Sequence, residues 1–206
     1  MKKQTLYMIG LATLLASATQ AYSQEQLAKS MQEVRDETAK TSLQLSTTLG
    51  ALNGLTQKTE GDLRPAYNAF AEAVTNTVSA AAITASRVKW MDGDGQQYFK
   101  EWQDTITSIA NESLRKKSQK RLEDVRANFD EVKKELKEAS AKFKPFLSDL
   151  SDIQKTVAMD VTAAGVKSVR STVRSANSNH KSVDRAINSA IKELEKMAKS
   201  LSPEAK

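Results

Sequence analysis

Apolar residues recur along this chain at alternating spacings of three and four. The clearest run is Leu122, Val125, Phe129, Val132, Leu136, Ala139, Phe143, Phe146, Leu150, Ile153 and Val157, with Val161 next. That period puts them on one face of a helix and is incompatible with a strand, whose side chains alternate between faces at every residue. A stripe that holds its phase this long belongs to a coiled coil or a long bundle helix. The spacing predicts an all-α fold, a long antiparallel helical bundle or coiled-coil hairpin with shorter helices packed along it. From Ser113 to about Val161 the helix would rise roughly 70 Å at about 1.5 Å per residue. Pro145 removes one backbone donor inside this run, yet the stripe keeps its phase across it, so a kink near Phe143 to Phe146 is expected in place of a loop.

Weaker stripes flank it. Leu27, Met31, Val34, Thr38, Leu45, Leu49 and Leu52 predict a helix from about Gln26 to Leu52, ended by Asn53-Gly54. Asp62, as N-cap ahead of Pro65, opens a second through Tyr67, Phe70, Val74, Val78, Ala81, Ala85 and Val88. Met91-Asp92-Gly93-Asp94-Gly95 reads as a turn or loose corner. Tyr98, Trp102, Ile106 and Ile109 start a third helix, which stops near Asn111 or runs into the long one. After Val161, Ala163-Ala164-Gly165 weakens the helix and Val166, Val169 and Val173 resume it. Ser175-Ala176-Asn177-Ser178-Asn179 interrupts it again. A last helix from about Ser182 carries Val183, Ile187, Ile191, Leu194, Met197 and Leu201.

The first twenty-one residues have a different grammar: Lys2 and Lys3, an apolar run from Leu6 to Leu15, and small residues at Ala16, Ala18 and Ala21. These are the three parts of a secretory signal peptide, and the run is too short to span a bilayer. Cleavage follows Ala18 or Ala21. No cysteine is present, so neither a lipoprotein anchor nor a disulfide framework is expected and packing alone must stabilise the fold. The expected organisation is a signal peptide over 1–21, a single helical domain over 22–201 and a frayed tail over 202–206, with a periplasmic location. Without Lys2 and Lys3 the chain has 29 basic against 25 acidic residues. The surplus is uneven: residues 115–144 hold eleven bases and six acids, whereas residues 22–114 hold eight and twelve.

Motifs for chemistry are weak. His180 is the one histidine, lies in a Ser-Asn-rich stretch and has no cysteine to join, whereas a transition-metal site needs several converging ligands. It reads as a solvated interhelix residue. Asp92-Gly93-Asp94-Gly95 has the first donors of a calcium loop, but Gln96 and Gln103 stand where later ligands belong. Ser-x-x-Lys occurs at Ser86, Ser113, Ser178 and Ser189, a frequency that chance supplies, and the companion motifs of penicillin-binding enzymes are absent. No phosphate-cradling loop, His-Glu-x-x-His or Gly-x-Ser-x-Gly is present. The expectation is a protein that is not an enzyme and uses no cofactor or metal. Nucleic-acid binding is not expected either, because the basic stretch offers only Phe129 and Phe143, both in the stripe.

Several short motifs together resemble a known family. They are Gly61-Asp62-Leu63 with Tyr67-Asn68, Phe99-x-x-Trp102, Ser113-Leu114-Arg115 with Ser118 and Leu122, Pro145-x-Leu147 and Asp152, and Met31 to Asp36 ending in Arg35-Asp36. The chain is similar in these to the bacterial family catalogued as domain of unknown function 2959. The resemblance implies an exported helical protein of Gram-negative bacteria and carries no activity or site residues. The chain departs from the pattern at Val157-Ala158-Met159-Asp160-Val161-Thr162, where family members carry Leu-Lys-His-Asn-Leu-Asn, and in lacking a lipobox cysteine.

The functional expectation is a non-catalytic binding or structural module of the cell envelope. It would present an extended charged helical surface to an envelope protein or to a second copy of itself. The alternative is a membrane-surface or lipopolysaccharide-associating protein. Its electrostatic contact surface would be Arg115, Lys116, Lys117, Lys120 and Arg121, placed against anionic lipid.

Overall fold

The structure, a computed structural model, describes residues 2–58 and 60–201, with side chains from residue 21 onward. The side chains of residues 1–20 of the expected signal peptide, with the cleavage position at Ala18, and the expected tail at 202–206 lie outside the described residues. Among the described residues there is no strand. The helices are α1 (Lys2–Gln57), α2 (Arg64–Thr107), α3 (Glu112–Met159), α4 (Ala163–Ser168) and α5 (Arg170–Leu201). α1 packs on α2 and α5, and α3 packs on α2 and α5, while among the described residues the backbones of the diagonal pairs α1/α3 and α2/α5 do not approach each other. Short connections join consecutive helices, so the four long ones form a square up-down-up-down bundle. The antiparallel sense is visible in paired bonds: Thr41 meets Thr84 while Thr48 meets Thr77, and Gln24 meets the Leu201 carbonyl while Asn53 meets Asn177.

All eleven stripe residues from Leu122 to Val157 are buried on α3. α3 passes Pro145 without interruption, with the proline on the exposed side, where water can take the carbonyl it leaves unpaired. Asn111 ends the uncertainty over the third helix: its side chain accepts from the Leu114 N–H at 3.1 Å and caps α3. Tyr98 and Trp102 therefore belong to α2. Gly61, with φ 79°, supplies the left-handed step between α1 and α2. Leu63 is the N-cap of α2 in place of Asp62, although Asp62 still accepts from the Arg64 N–H at 3.0 Å and pairs with its guanidinium.

Three expected breaks are helical instead. Asn53-Gly54 lies inside α1, which continues to bury the next residue, Leu55. Ser175 to Asn179 lies inside α5, and Asn177 exchanges two amide hydrogen bonds with Asn53, at 3.0 and 3.2 Å. These asparagines are interface residues, and tertiary pairing outweighs their local preference for turns. Asp92-Gly93-Asp94-Gly95 lies inside α2. A Cβ on Gly95 would stand 2.7 Å from Phe129 Cε1, so this glycine lets the Phe129 ring of α3 rest on the α2 backbone. Asp92 pairs with Lys133 at 2.8 Å.

Candidate functional site

The bonds and ring contacts that join α2 to α3 all lie between the Asp92–Lys133 pair and the α2–α3 turn. Phe99 packs edge-on against Phe129 at 5.4 Å, the Trp102 indole N–H donates to Ser118 Oγ at 3.2 Å, and Gln103 donates to Gln119 at 3.2 Å. On the other side of that pair the two helices flank a groove of about 730 Å³. Its α2 wall is Ala81, Ala85 and Val88, its α3 wall Leu136, Ala139, Phe143 and Leu147, and its floor Thr38 and Thr41 of α1 with Ile187 of α5.

The groove follows from side-chain size. At this level α1 contributes threonine, α2 mostly alanine and threonine, and α3 the small Ala139 and Ser140 between its larger residues, whereas a four-helix interior needs larger residues to reach normal packing density. The threonines bond sideways: Thr41 and Thr84 hydroxyls meet at 3.0 Å, and Thr48 and Thr77 at 2.7 Å. These bonds hold α2 on α1 and leave its other flank uncovered. The α2 stripe expected to be core is accordingly open in part. Val78 is 45 % exposed, Ala85 is exposed, and Ala81 and Val88 are half-buried.

The rim is basic. Lys89 on α2 and Lys133, Lys137 and Lys144 on α3 border the groove, against one acid, Asp92. Asp92 is neutralised by Lys133. Among the described residues, Lys89, Lys137 and Lys144 have no carboxylate within ion-pairing distance. In the floor, Thr38 is 5 % exposed, and its hydroxyl has no hydrogen-bond partner among the described residues. The site thus offers alkyl walls, hydroxyls and ammonium groups, the set that suits a mostly apolar ligand with a few polar anchors.

The expected contact cluster lies elsewhere. Arg115, Lys116, Lys117, Lys120 and Arg121 are all exposed on the first turns of α3, and Lys116 pairs with Glu112 at 2.7 Å. At 3.6 residues per turn, Lys116, Lys117, Lys120 and Arg121 fall within an arc of about 140° and Arg115 beyond its edge, so the five make a collar on the solvent side of α3. Leu114, beside them, is 57 % exposed. Arg121 also bears on Tyr98, whose phenol is pushed up to about 12 by burial against the opposing pull of that guanidinium. Lys120 and Lys133 are thirteen residues apart, about 20 Å along the helix, so collar and groove are separate sites.

His180 sits within α5, half-buried with its ring 6.2 Å from Phe146, and not in a solvated interhelix stretch. No group of three or more metal-ligating side chains occurs among the described residues, and no helix among them is long and apolar enough to cross a membrane. Reading the sequence missed the groove. The signal that could have found it is the small-residue tract Ser79 to Ala82 with Thr84 and Ala85, placed on an otherwise large-residue stripe and matched by Ala139-Ser140-Ala141 on α3.

Against known proteins, the family model described as protein of unknown function (DUF2959) matches residues 19–201. No curated protein and no solved structure matches the chain.

Proposed function

The chain belongs to the family described as protein of unknown function (DUF2959), and from its geometry we propose an exported, non-catalytic binding protein of the cell envelope that takes an apolar ligand into the α2–α3 groove. The observation that carries this reading is the groove itself, whose 730 Å³ falls within the range of about 300–1,000 Å³ that small-molecule sites occupy. Export is supported by Lys2, Lys3, the Leu6–Leu15 run and the small residues after it. A binding role is supported by walls that carry alkyl, hydroxyl and lysine groups, in which, among the described residues, no hydroxyl is hydrogen-bonded to a lysine or carboxylate. The test uses the purified full-length chain and an environment-sensitive apolar dye. Filling the groove with Ala85→Phe, at an exposed position of its α2 wall, should abolish dye uptake while helicity and the unfolding midpoint are kept. Equal uptake by that variant, folded to the same degree, would refute the proposal.

A second reading is favoured by Leu114, an exposed apolar side chain within the basic collar. An apolar residue ringed by cations suits contact with an anionic membrane surface. Changing Arg115, Lys116, Lys117, Lys120 and Arg121 to Gln should stop flotation with phosphatidylglycerol vesicles at unchanged helicity. Undiminished flotation would sink this reading.

A further inference from the structure

We infer that the occupant of the groove is a single-chain anionic amphiphile, its head held between Lys89 and Lys137 and its alkyl chain laid toward Phe143 and Leu147. The inference rests on the proposed ligand-binding role and adds the chemistry of the ligand. Its first support is position. Asp92 and Lys133 join the two walls at 2.8 Å. Lys89 lies three residues before Asp92, and Lys137 four residues after Lys133, each on the groove-lining side of its helix. One turn beyond the ion pair, two ammonium groups without carboxylate partners therefore stand on opposite walls of the same apolar groove. Like charges so placed repel, most strongly where water is thin, and an anion between them removes the repulsion.

The second support is independent of charge. The Thr41–Thr84 bond fixes the register of α1 on α2, and three residues back from Thr41 puts Thr38 level with Arg87 and Val88, next to Lys89. The Thr38 hydroxyl, in the floor and without a partner, is a donor at the level of the two lysines. Buried hydroxyls ordinarily find a partner, and a head-group oxygen would supply one. Beyond this level the walls are Ala81, Ala139, Phe143 and Leu147, the Thr41 and Thr84 hydroxyls there are bonded to each other at 3.0 Å, and Ser140 and Lys144 stand at the rim. Head and tail thus have distinct places.

Titration calorimetry on the purified full-length chain should compare dodecanoate, dodecyl phosphate, dodecanol and dodecylammonium, each below its micelle concentration. The two anions should bind about ten-fold or more tightly than dodecanol, with the ammonium weakest. Lys89→Gln combined with Lys137→Gln should bring the anions down to the alcohol and leave the alcohol unchanged. Decanoate should bind roughly fifteen-fold more weakly than dodecanoate, two methylenes being lost from the groove. Tighter carboxylate points to a free fatty acid and tighter phosphate to a lipid head group, and either result supports the inference. Equal affinity for dodecanol and dodecanoate would overturn the anionic head while leaving the groove reading standing. Failure of all four to bind, or equal binding by Ala85→Phe, would overturn both.

Discussion

Gly93 and Gly95 stand two residues apart inside α2, and the structure assigns them opposite responses to the same change. Gly93 is exposed, and a Cβ added there meets nothing within 4 Å. Alanine is better than glycine in a helix interior by about 1 kcal/mol, so Gly93→Ala should stabilise by about that amount. In a chain of this size that raises the unfolding midpoint by about 2–4 °C. Gly95 is buried, and its new Cβ would come within 2.7 and 3.0 Å of Phe129 Cε1 and Cε2. Phe129 is itself buried, with Phe99 edge-on to it and the Lys133 ammonium 5.6 Å from its centroid. The ring has little room to retreat. Overpacking of this kind costs about 1–3 kcal/mol and offsets or exceeds the helical gain, so Gly95→Ala should be neutral or destabilising by up to about 2 kcal/mol. Urea unfolding of the two variants, followed by circular dichroism, should separate them by about 1–3 kcal/mol. Equal stabilisation would refute the close approach of α3 to α2 at this level. Equal destabilisation would restore a turn at Asp92 to Gly95.

The Asn53–Asn177 pair should behave as a unit. Each single Asn→Ala change removes both interhelix bonds and should cost about 1–3 kcal/mol. The double change should cost no more than either single, giving a coupling of about 1–3 kcal/mol in a double-mutant cycle; additive effects would show that the asparagines do not meet. Alkaline unfolding should report Tyr98. Its phenol stays protonated in the folded chain to about 12, whereas the unfolded chain loses that proton near 10.0. The folded state thus holds the extra proton, and stability should be flat below about pH 9 and fall by roughly 1–2 kcal/mol between about pH 10 and 12 after allowance for screening. Tyr98→Phe should remove that slope, and an unchanged slope would place its origin elsewhere.

What could be read from the sequence and what could not divide along one physical line. The α3 stripe was legible because every one of its residues needs burial, and burial alone imposes the helical period. The glycine and asparagine positions misled because their local preference for turns is real but small, about 1 kcal/mol for a glycine. Partners 124 residues away in the case of Asn53 and Asn177, or on the next helix in the case of Gly95, outweigh it. The basic collar was legible as charge, but the packing of α2 beside it through Trp102–Ser118 and Gln103–Gln119 was not. The α2 stripe of Val74, Val78, Ala81, Ala85 and Val88 was legible as apolar. Whether a neighbour covers it depends on the separation of α2 and α3, which no local pattern encodes.

That separation is where fold and proposed function join. In a square bundle each helix has two neighbours. α2 is fastened to α1 by the Thr41–Thr84 and Thr48–Thr77 bonds, and α1 is fastened to α5 by Arg35–Glu195, Ser42–Asp184 and Asn53–Asn177. α3 packs on α5 through apolar contacts. The α2–α3 side alone is clamped at one end, by Asp92–Lys133 and by the aromatic contact of Phe99 with Phe129. Opening or filling that side therefore breaks none of the bonds on the other three. A groove on the α1–α2 or α1–α5 side would have to separate hydrogen-bonded helices, and one on the α3–α5 side would have to open the apolar contact between them. The small residues at Ala81, Ala85 and Ala139 fall on the one side whose width can follow an occupant, and the Asp92–Lys133 pair fixes the end from which that width is measured.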